Sequence, residues 1–183
     1  MGMPAHAQRY YTVDEVLAFP EDGNTYELIF GELVMSPTPR YWHQEIVRRL
    51  TEILAAYCQR EGLGRVFCTS ADLSWGRKDV ITQPDVFVLD QKKVKSWADV
   101  RNVPLVAEVL SPSTARYERY GKRVIYREQK IGTHWIIDAD KHFVEVWTPD
   151  ALFPVVEHER LTWFPAGASE PLIVNLAELF ADE

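Results

Sequence analysis

The sequence lacks the features of several specialised protein classes. No apolar run approaches the roughly 20 residues needed to cross a bilayer, so we expect no membrane-spanning helix. The opening residues, MGMPAHAQRYY, contain neither a basic segment nor an apolar core, so we expect no secretory signal. Cys58 and Cys68 form neither a disulfide framework nor a metal-knuckle pattern. These absences predict a cytoplasmic protein with reduced thiols.

The chain also lacks an excess of positive charge. Its formal net charge of -7 argues against a protein that coats nucleic acid through bulk charge, so a nucleic-acid partner would need a local basic surface. There is no internal repeat, and 183 residues with 46% hydrophobic content suit one globular domain. We therefore expect a single domain over residues 1–183, with residues 1–9 flexible.

Apolar periodicity and turn signals predict a mixed α/β fold. Thr12 is a plausible N-cap of a short helix, residues 26–37 read as two strands hinged at Gly31, and Gly62 ends a long amphipathic helix. The remaining predicted elements are strands within 64–75, 81–90 and 104–110, a helix over 111–132 capped by Ser113 or Thr114, a strand pair within 133–149, and a short strand and helix in the tail. This order predicts layers around one sheet.

One carboxylate stands inside a predicted buried strand. Glu108 interrupts the apolar run of PLVAEVL, where an ionised carboxylate is costly unless a charge or a metal holds it. Asp85, after Pro84 at the beginning of the preceding strand, could meet Glu108 across the sheet. Two carboxylates with room for water and phosphate suit Mg²⁺ or Mn²⁺, which would activate a bound water.

The helix after Glu108 offers two polar stripes. Glu118, Lys122 and Tyr126 share one face at i, i+4 and i+8, and a lysine there could stabilise the transition state of phosphodiester hydrolysis. A second, basic stripe suits contacts with the phosphate backbone of DNA. It consists of Arg116, Arg119, Arg123, Arg127 and Lys130.

Five segments, in this order, resemble a known family: YELIFGELVMSP, HQEIVRRL, QPDVFVL, LVAEVLSPSTARYERYGKRVIYREQKIGTHWIID and FVEVW. They resemble the Uma-type "putative restriction endonuclease" family of the PD-(D/E)XK nuclease superfamily, over roughly residues 10 to 180. The resemblance implies a restriction-endonuclease-like core of order α-β-β-β-α-β around a mixed sheet, with an N-terminal hairpin and C-terminal strands. It also implies a divalent-metal site.

The resemblance implies roles for individual residues. Asp85 matches the motif aspartate and Glu108 the motif acidic residue, so together they would hold Mg²⁺ or Mn²⁺. Leu110 stands where the superfamily carries its lysine, while Lys122 matches a lysine of the Uma-type family, so the catalytic lysine looks migrated. His43 matches a family position whose role is open. The implied function is a metal-dependent endonuclease that hydrolyses DNA phosphodiester bonds, with Asp85, Glu108 and Lys122 as catalytic residues.

Alternatives remain open at this point. Glu108 and Lys122 also suit a structural ion pair, Asp85 a strand-entry turn, His43 a packed helix residue, and the arginines a solvated face. The missing lysine at position 110 favours a noncatalytic nuclease-fold protein that binds nucleic acid or a protein partner. We expect a homodimer for the nuclease, and a purely structural homodimer joined through exposed apolar strands is a further alternative.

Overall fold

The structure, a computed structural model, describes residues 9–36, 38–68, 71–111 and 115–181. The predicted flexible start lies outside these ranges except for Arg9, and so do the predicted helix caps Ser113 and Thr114. The described strands are β1 Thr25–Ile29, β2 Glu32–Ser36, β3 Arg65–Cys68, β4 Val86–Leu89, β5 Leu105–Val109, β6 Thr133–Asp138, β7 Phe143–Trp147, β8 Val155–Glu157, β9 Arg160–Trp163 and β10 Leu172–Asn175. The helices are α1 Val13–Leu17, α2 Tyr41–Glu61, a 3₁₀ turn Trp97–Asp99, a π-helical turn Tyr117–Lys122, α3 Arg123–Glu128 and α4 Leu176–Leu179.

A mixed six-stranded sheet forms the centre of the fold. Its strands lie in the order β3-β4-β5-β6-β7-β8, with β5 parallel to β6 and the other neighbours antiparallel. A parallel pair needs a crossover connection, which the π-helical turn and α3 supply. The elements α2, β3, β4, β5, α3 and β6 thus follow the predicted α-β-β-β-α-β order, and the predicted fold class is confirmed.

The two faces of the sheet bury separate apolar layers. Long helix α2 places Ile46, Leu50 and Leu54 against the face that carries Leu105 and Ala107 of β5. Side chains alternate along a strand, so the intervening residues of β5 point to the opposite layer, which α3 covers. Glu108 belongs to that second face. Within the ranges described, no helix is long and apolar enough to cross a membrane.

The N-terminal hairpin β1–β2 packs onto the second face. Phe30 and Gly31 both have positive φ, at 49° and 84°, which is the two-residue turn that matches the twist of a hairpin. The predicted hinge at Gly31 is therefore confirmed. Leu28 and Ile81 exchange backbone hydrogen bonds of 2.8 and 2.9 Å, which tie the hairpin to the segment entering β4. The hairpin consequently stands beside Asp85 and Glu108.

The helical crossover differs from its prediction in two respects. Residues 117–122 form a wide π-helical turn in place of a regular α-helix, and α3 ends at Glu128. Lys130 adopts a left-handed conformation with φ of 56° after the helix. Gly132, predicted as the helix stop, instead permits a close backbone approach, because a Cβ there would lie 2.8 Å from the Pro104 carbonyl oxygen.

The strand predicted within residues 64–75 is shorter than expected. β3 ends at Cys68, and the described part of the following segment leaves the sheet, with Leu73 paired to Thr82 as an isolated bridge. The segment returns at Val86 to pair with β3. This excursion, residues 71–85, is the piece of chain that holds the hairpin in place.

Candidate active site

A cavity of about 590 Å³ opens between the hairpin, the start of α2 and the ends of β4 and β5. Its lining includes the predicted catalytic residues and His43, together with two acids from the hairpin and the π-helical turn. They are Glu27, His43, Asp85, Glu108, Glu118 and Lys122. A concave site that gathers this many ionisable side chains is where ligand binding or chemistry is expected.

The structure places Asp85 and Glu108 side by side. β4 and β5 pair antiparallel with Val86 opposite Ala107, so Asp85 lies opposite Glu108 at the next position. The Val109 N–H donates to Asp85 Oδ2 at 2.7 Å, and the Asp85 N–H donates to Glu108 Oε2 at 3.4 Å. These contacts fix both carboxyl groups at one end of the strand pair, where the sequence predicts them.

Glu108 is held in a dry environment. Its side chain is 1% exposed, and Oε1 accepts hydrogen bonds from Tyr126 Oη at 2.5 Å and Lys122 Nζ at 3.2 Å. Burial raises the pKa of Glu108 to about 7, against the attraction of the Lys122 ammonium and with help from the charges of Asp85 and Glu27.

Lys122 stands among three carboxylates. Its Nζ lies 2.8 Å from Glu27 Oε1, 3.1 Å from Glu118 Oε2 and 3.2 Å from Glu108 Oε1, with the lysine side chain 2% exposed. Burial alone would lower the pKa of Lys122, but these carboxylates outweigh it and hold the pKa well above its usual value. The lysine is thus a charged ammonium, and the crossover brings it to the cavity as the sequence predicts.

Glu118 contributes the fourth carboxyl group of the centre. Burial, followed by the Glu108 carboxylate, raises the pKa of Glu118 well above its usual value. Its Oε2 lies at ion-pair distance from Lys122, but the angle does not meet hydrogen-bond geometry. Three carboxyl groups of the centre thus contact the Lys122 ammonium, while the remaining one, Asp85, pairs with His43.

His43 lies on the first turn of α2 and faces Asp85. Its Nε2 is 3.3 Å from Asp85 Oδ2, while its buried Nδ1 has no hydrogen-bond partner in the part of the chain that the structure describes. Burial would lower the pKa of His43, but the hydrogen bond to Asp85 and the nearby charges outweigh it and raise the pKa. His43 therefore helps to hold Asp85 in place.

The sequence predicts Glu27 as a hairpin residue, in a region that the family resemblance includes and on which the sites of some members draw. This residue of β1 is 3% exposed, and its Oε1 contacts Lys122 and accepts the Gln83 N–H at 2.6 Å. The signal was present, because Glu27 sits between Tyr26 and Leu28 in an apolar strand, as Glu108 does in its own strand. Glu118 and Tyr126 were placed on the face of Lys122 but without a role.

The predicted basic stripe is divided in the structure. Arg119 binds Glu145 at 3.0 Å and Asp138 at 3.3 Å, and the Arg123 guanidinium lies over the Trp147 ring at 3.9 Å from its centroid. Arg116 and Arg127 are exposed to solvent. Two of the four arginines predicted to bind DNA are therefore engaged within the protein, and two face outward.

Asp85 and Glu108 offer two carboxylate groups to a divalent metal at the edge of the cavity. Among the described residues, no three His, Cys, Asp or Glu side chains form a group that could hold a metal ion. Mg²⁺ and Mn²⁺ are nevertheless bound in many sites by one or two carboxylates, with water and substrate oxygens completing the coordination. Asp85 and Glu108, beside a cavity with room for water, fit this sparser arrangement.

The fold and this acidic, lysine-containing cavity define a restriction-endonuclease-like protein. The family described as "Putative restriction endonuclease" (Uma2) matches residues 13–169, and the chain belongs to this family. A crystal structure of "a putative nuclease belonging to DUF820" from Anabaena variabilis has the same fold, with a TM-score of 0.75 and 23% sequence identity over 92% of this chain and 97% of that chain. No curated protein matches the chain. The predicted family is confirmed.

His134 on β6 is buried next to this centre. Its ring meets Tyr126 edge to face at 4.8 Å between centroids, and neither ring nitrogen has a hydrogen-bond partner among the residues described. Burial lowers the pKa of His134 to about 3, with the charges of Lys122 and Arg123 adding to the effect. The folded protein therefore keeps this imidazole neutral in mildly acidic solution, whereas the unfolded chain protonates it near its ordinary pKa of about 6.5.

We predict that His134→Phe makes folding less sensitive to acid. The pKa of His134 is lower in the folded protein than in the unfolded chain. The wild-type protein therefore has its full stability above the unfolded pKa of about 6.5, and the free energy of unfolding falls as the pH drops from about 6.5 towards 3. At about 1.4 kcal/mol per pH unit, this one group removes roughly 2 kcal/mol from the wild-type free energy of unfolding by pH 5. Urea denaturation of both proteins at pH 7 and pH 5 measures the difference. A difference that stays constant between the two pH values would show that His134 is not the group responsible.

Proposed function

We propose that the protein is a metal-dependent endonuclease that hydrolyses DNA phosphodiester bonds in the cytoplasm. The observation that carries the proposal is the charged, buried Lys122 beside Glu108, in a cavity that Asp85 also lines. Two adjacent carboxyl groups can bind a divalent cation and an ammonium can stabilise charge on the phosphate, so this set of side chains suits metal-dependent phosphodiester hydrolysis. Membership of the nuclease family supports the same assignment.

Asp85 and Glu108 are the proposed ligands of Mg²⁺ or Mn²⁺. When bound, the ion lowers the pKa of a coordinated water and offsets charge on the phosphate. Glu108 would bind the cation as a carboxylate, the form that the attraction of the Lys122 ammonium favours. His43 and the Val109 N–H hold Oδ2 of Asp85, which fixes the orientation of this carboxylate.

Lys122 is the proposed stabiliser of the charge that develops on the phosphate. Its ammonium is already in place before substrate arrives, so little reorganisation is needed during the reaction. Tyr126 donates its hydroxyl hydrogen to Glu108 Oε1 and restrains the rotation of that carboxyl group. The proposed catalytic unit is therefore held by direct contacts on each member.

Substitution of Lys122 and substitution of a proposed metal ligand should have different effects on metal binding. Wild-type protein should cleave plasmid or oligonucleotide DNA with Mg²⁺ or Mn²⁺, and EDTA should abolish cleavage. Lys122→Met should lower kcat by about 10²- to 10³-fold with metal affinity retained, the scale of losing one transition-state donor. Glu108→Gln should remove both metal binding and cleavage, because it replaces a carboxylate ligand. Calorimetric titration with Mn²⁺ and single-turnover kinetics measure the two effects.

Lys141→Met is the matched control, because Lys141 is an exposed lysine whose partner is Asp138. It should cleave at the wild-type rate. Circular dichroism confirms that each variant is folded before its rate is compared. A folded wild-type protein that neither binds Mn²⁺ nor cuts DNA would favour the alternative function, a noncatalytic nuclease-fold protein that binds nucleic acid or a protein partner.

We further predict that the two outward-facing arginines bind the DNA backbone. Affinity for duplex DNA should fall steeply with salt, and replacing Arg116 and Arg127 with alanine should flatten the slope of log affinity against log salt by about one unit per lost contact. Arg160→Ala, an exposed residue on β9, is the control and should leave the slope unchanged. Fluorescence anisotropy at several salt concentrations gives the slopes. Equal slopes for all three proteins would mean that Arg116 and Arg127 make no phosphate contact.

We also propose the homodimer that the sequence predicts, joined through the outer edge of β8. The segment around this edge strand exposes Leu152, Phe153, Val155 and Val156, with Phe153 82% exposed. Antiparallel pairing of two β8 strands would cover this apolar segment symmetrically. Sedimentation velocity should show a dimer that Val156→Lys converts to monomer, while Ile173→Lys, at an exposed position of β10, does not. A wild-type protein that is monomeric at all concentrations would refute the dimer.

A further inference from the structure

Glu27 forms the shortest of the three ion pairs made by Lys122. Its Oε1 lies 2.8 Å from Lys122 Nζ, compared with 3.1 Å for Glu118 and 3.2 Å for Glu108. The same oxygen accepts the backbone N–H of Gln83 at 2.6 Å, two residues before Asp85. Glu27 thus connects the lysine to the segment that carries the aspartate, although it comes from a separate element, β1.

The hairpin that carries Glu27 is firmly attached to its neighbours. Gly121 lies against Ile29, and a Cβ at Gly121 would be 2.7 Å from Ile29 Cγ2, so the hairpin and the π-helical turn are in van der Waals contact. On its other side, Leu28 exchanges backbone hydrogen bonds with Ile81. These contacts fix Leu28 and Ile29, the two residues that follow Glu27, and the Gln83 N–H restrains the Glu27 carboxylate itself.

The position of a buried ammonium depends on the attraction of every carboxyl group in contact with it. Glu118 pulls Lys122 along its own helix, and Glu108 pulls it towards the sheet. Glu27 contacts the ammonium from a third element, the hairpin, at the shortest distance and with an oxygen restrained by Gln83. Loss of the Glu27 charge would remove this closest contact and let the ammonium shift, and a misplacement of about 1 Å can reduce a rate by about 10²-fold.

We propose that Glu27 is a positioning residue of the active centre, which holds the Lys122 ammonium where it can stabilise charge on the phosphate. This inference rests on the proposed function, and it adds the N-terminal hairpin to the working parts of the enzyme. Glu27 touches neither metal nor substrate in this role. Its effect on the reaction passes entirely through Lys122.

The experiment compares Glu27→Gln, Lys122→Met and the double variant in single-turnover DNA cleavage with Mg²⁺. Glutamine keeps an oxygen that can accept the Gln83 N–H but removes the charge that holds the ammonium. Glu27→Gln should lower kcat by about 10- to 10²-fold, with KM and Mn²⁺ affinity within about twofold of wild type. In the Lys122→Met background the same change should alter kcat by less than about twofold, since the group it positions is gone.

Glu32→Gln provides the matched control. Glu32 lies on the same hairpin and accepts a hydrogen bond of 2.8 Å from Tyr117 on the same π-helical turn, but it makes no ion pair with Lys122. It should cleave at the wild-type rate. Melting temperatures of all variants are measured alongside, and if Glu27→Gln is unfolded at the assay temperature, Glu27→Asp replaces it with a smaller expected loss in the same direction.

The outcomes distinguish this inference from the function on which it rests. If wild-type protein cleaves DNA and Glu27→Gln matches it, or if the losses from Glu27→Gln and Lys122→Met multiply in the double variant, the positioning role is wrong and the nuclease assignment stands. If folded wild-type protein shows no metal-dependent cleavage, the nuclease assignment fails and the positioning role fails with it. A loss in Glu27→Gln that disappears in the Lys122→Met background establishes the role.

Discussion

The rest of the centre depends on the ion pairs that the buried Lys122 ammonium forms. Its three carboxylate partners come from three elements: Glu27 from β1, Glu108 from β5 and Glu118 from the π-helical turn. Each of these carboxyl groups is costly to bury alone, and removing one partner of such a cluster typically costs about 3–5 kcal/mol. Lys122 is therefore the shared ion-pair partner of one carboxyl group in the sheet, one in the hairpin and one in the crossover.

This single cation explains why the hairpin and the excursion before β4 are arranged as they are. The hairpin must approach closely for Glu27 to reach the ammonium, and Gly121 removes the side chain that would prevent it. The excursion in turn holds the hairpin through Ile81 and places the Gln83 N–H on the Glu27 carboxylate. The wide π-helical turn carries both Glu118 and Lys122 inward, in keeping with the frequent use of such turns at functional sites.

Much of this arrangement could be predicted from the sequence. The rest could not, and the physical reasons can be identified. A carboxylate within an apolar strand marks Glu108, and consecutive strands bring Asp85 to it, because both signals depend only on local pattern. The helix face that Lys122 shares with Glu118 and Tyr126 already indicated this lysine, and the family resemblance implied its role as the migrated catalytic lysine. The contact of Glu27 with Lys122 depends on how a hairpin packs about 95 residues earlier in the chain, and no periodicity encodes that. The sequence also did not indicate which arginines contact other parts of the protein. Arg119 and Arg123 contact Glu145 and Trp147, which lie on another strand.

The backbone hydrogen bonds between Leu28 and Ile81 join distant parts of the chain, so the centre can form only late in folding. The acids and the lysine are spread between positions 27 and 122, and they meet only after the hairpin, the excursion and the crossover have all closed. Contacts between such distant residues form late, because the chain must first give up the entropy of closing long loops. A chain emerging from the ribosome therefore carries the separate groups long before it carries the assembled cluster. The cluster of Lys122 and its carboxyl groups therefore assembles only when folding is complete.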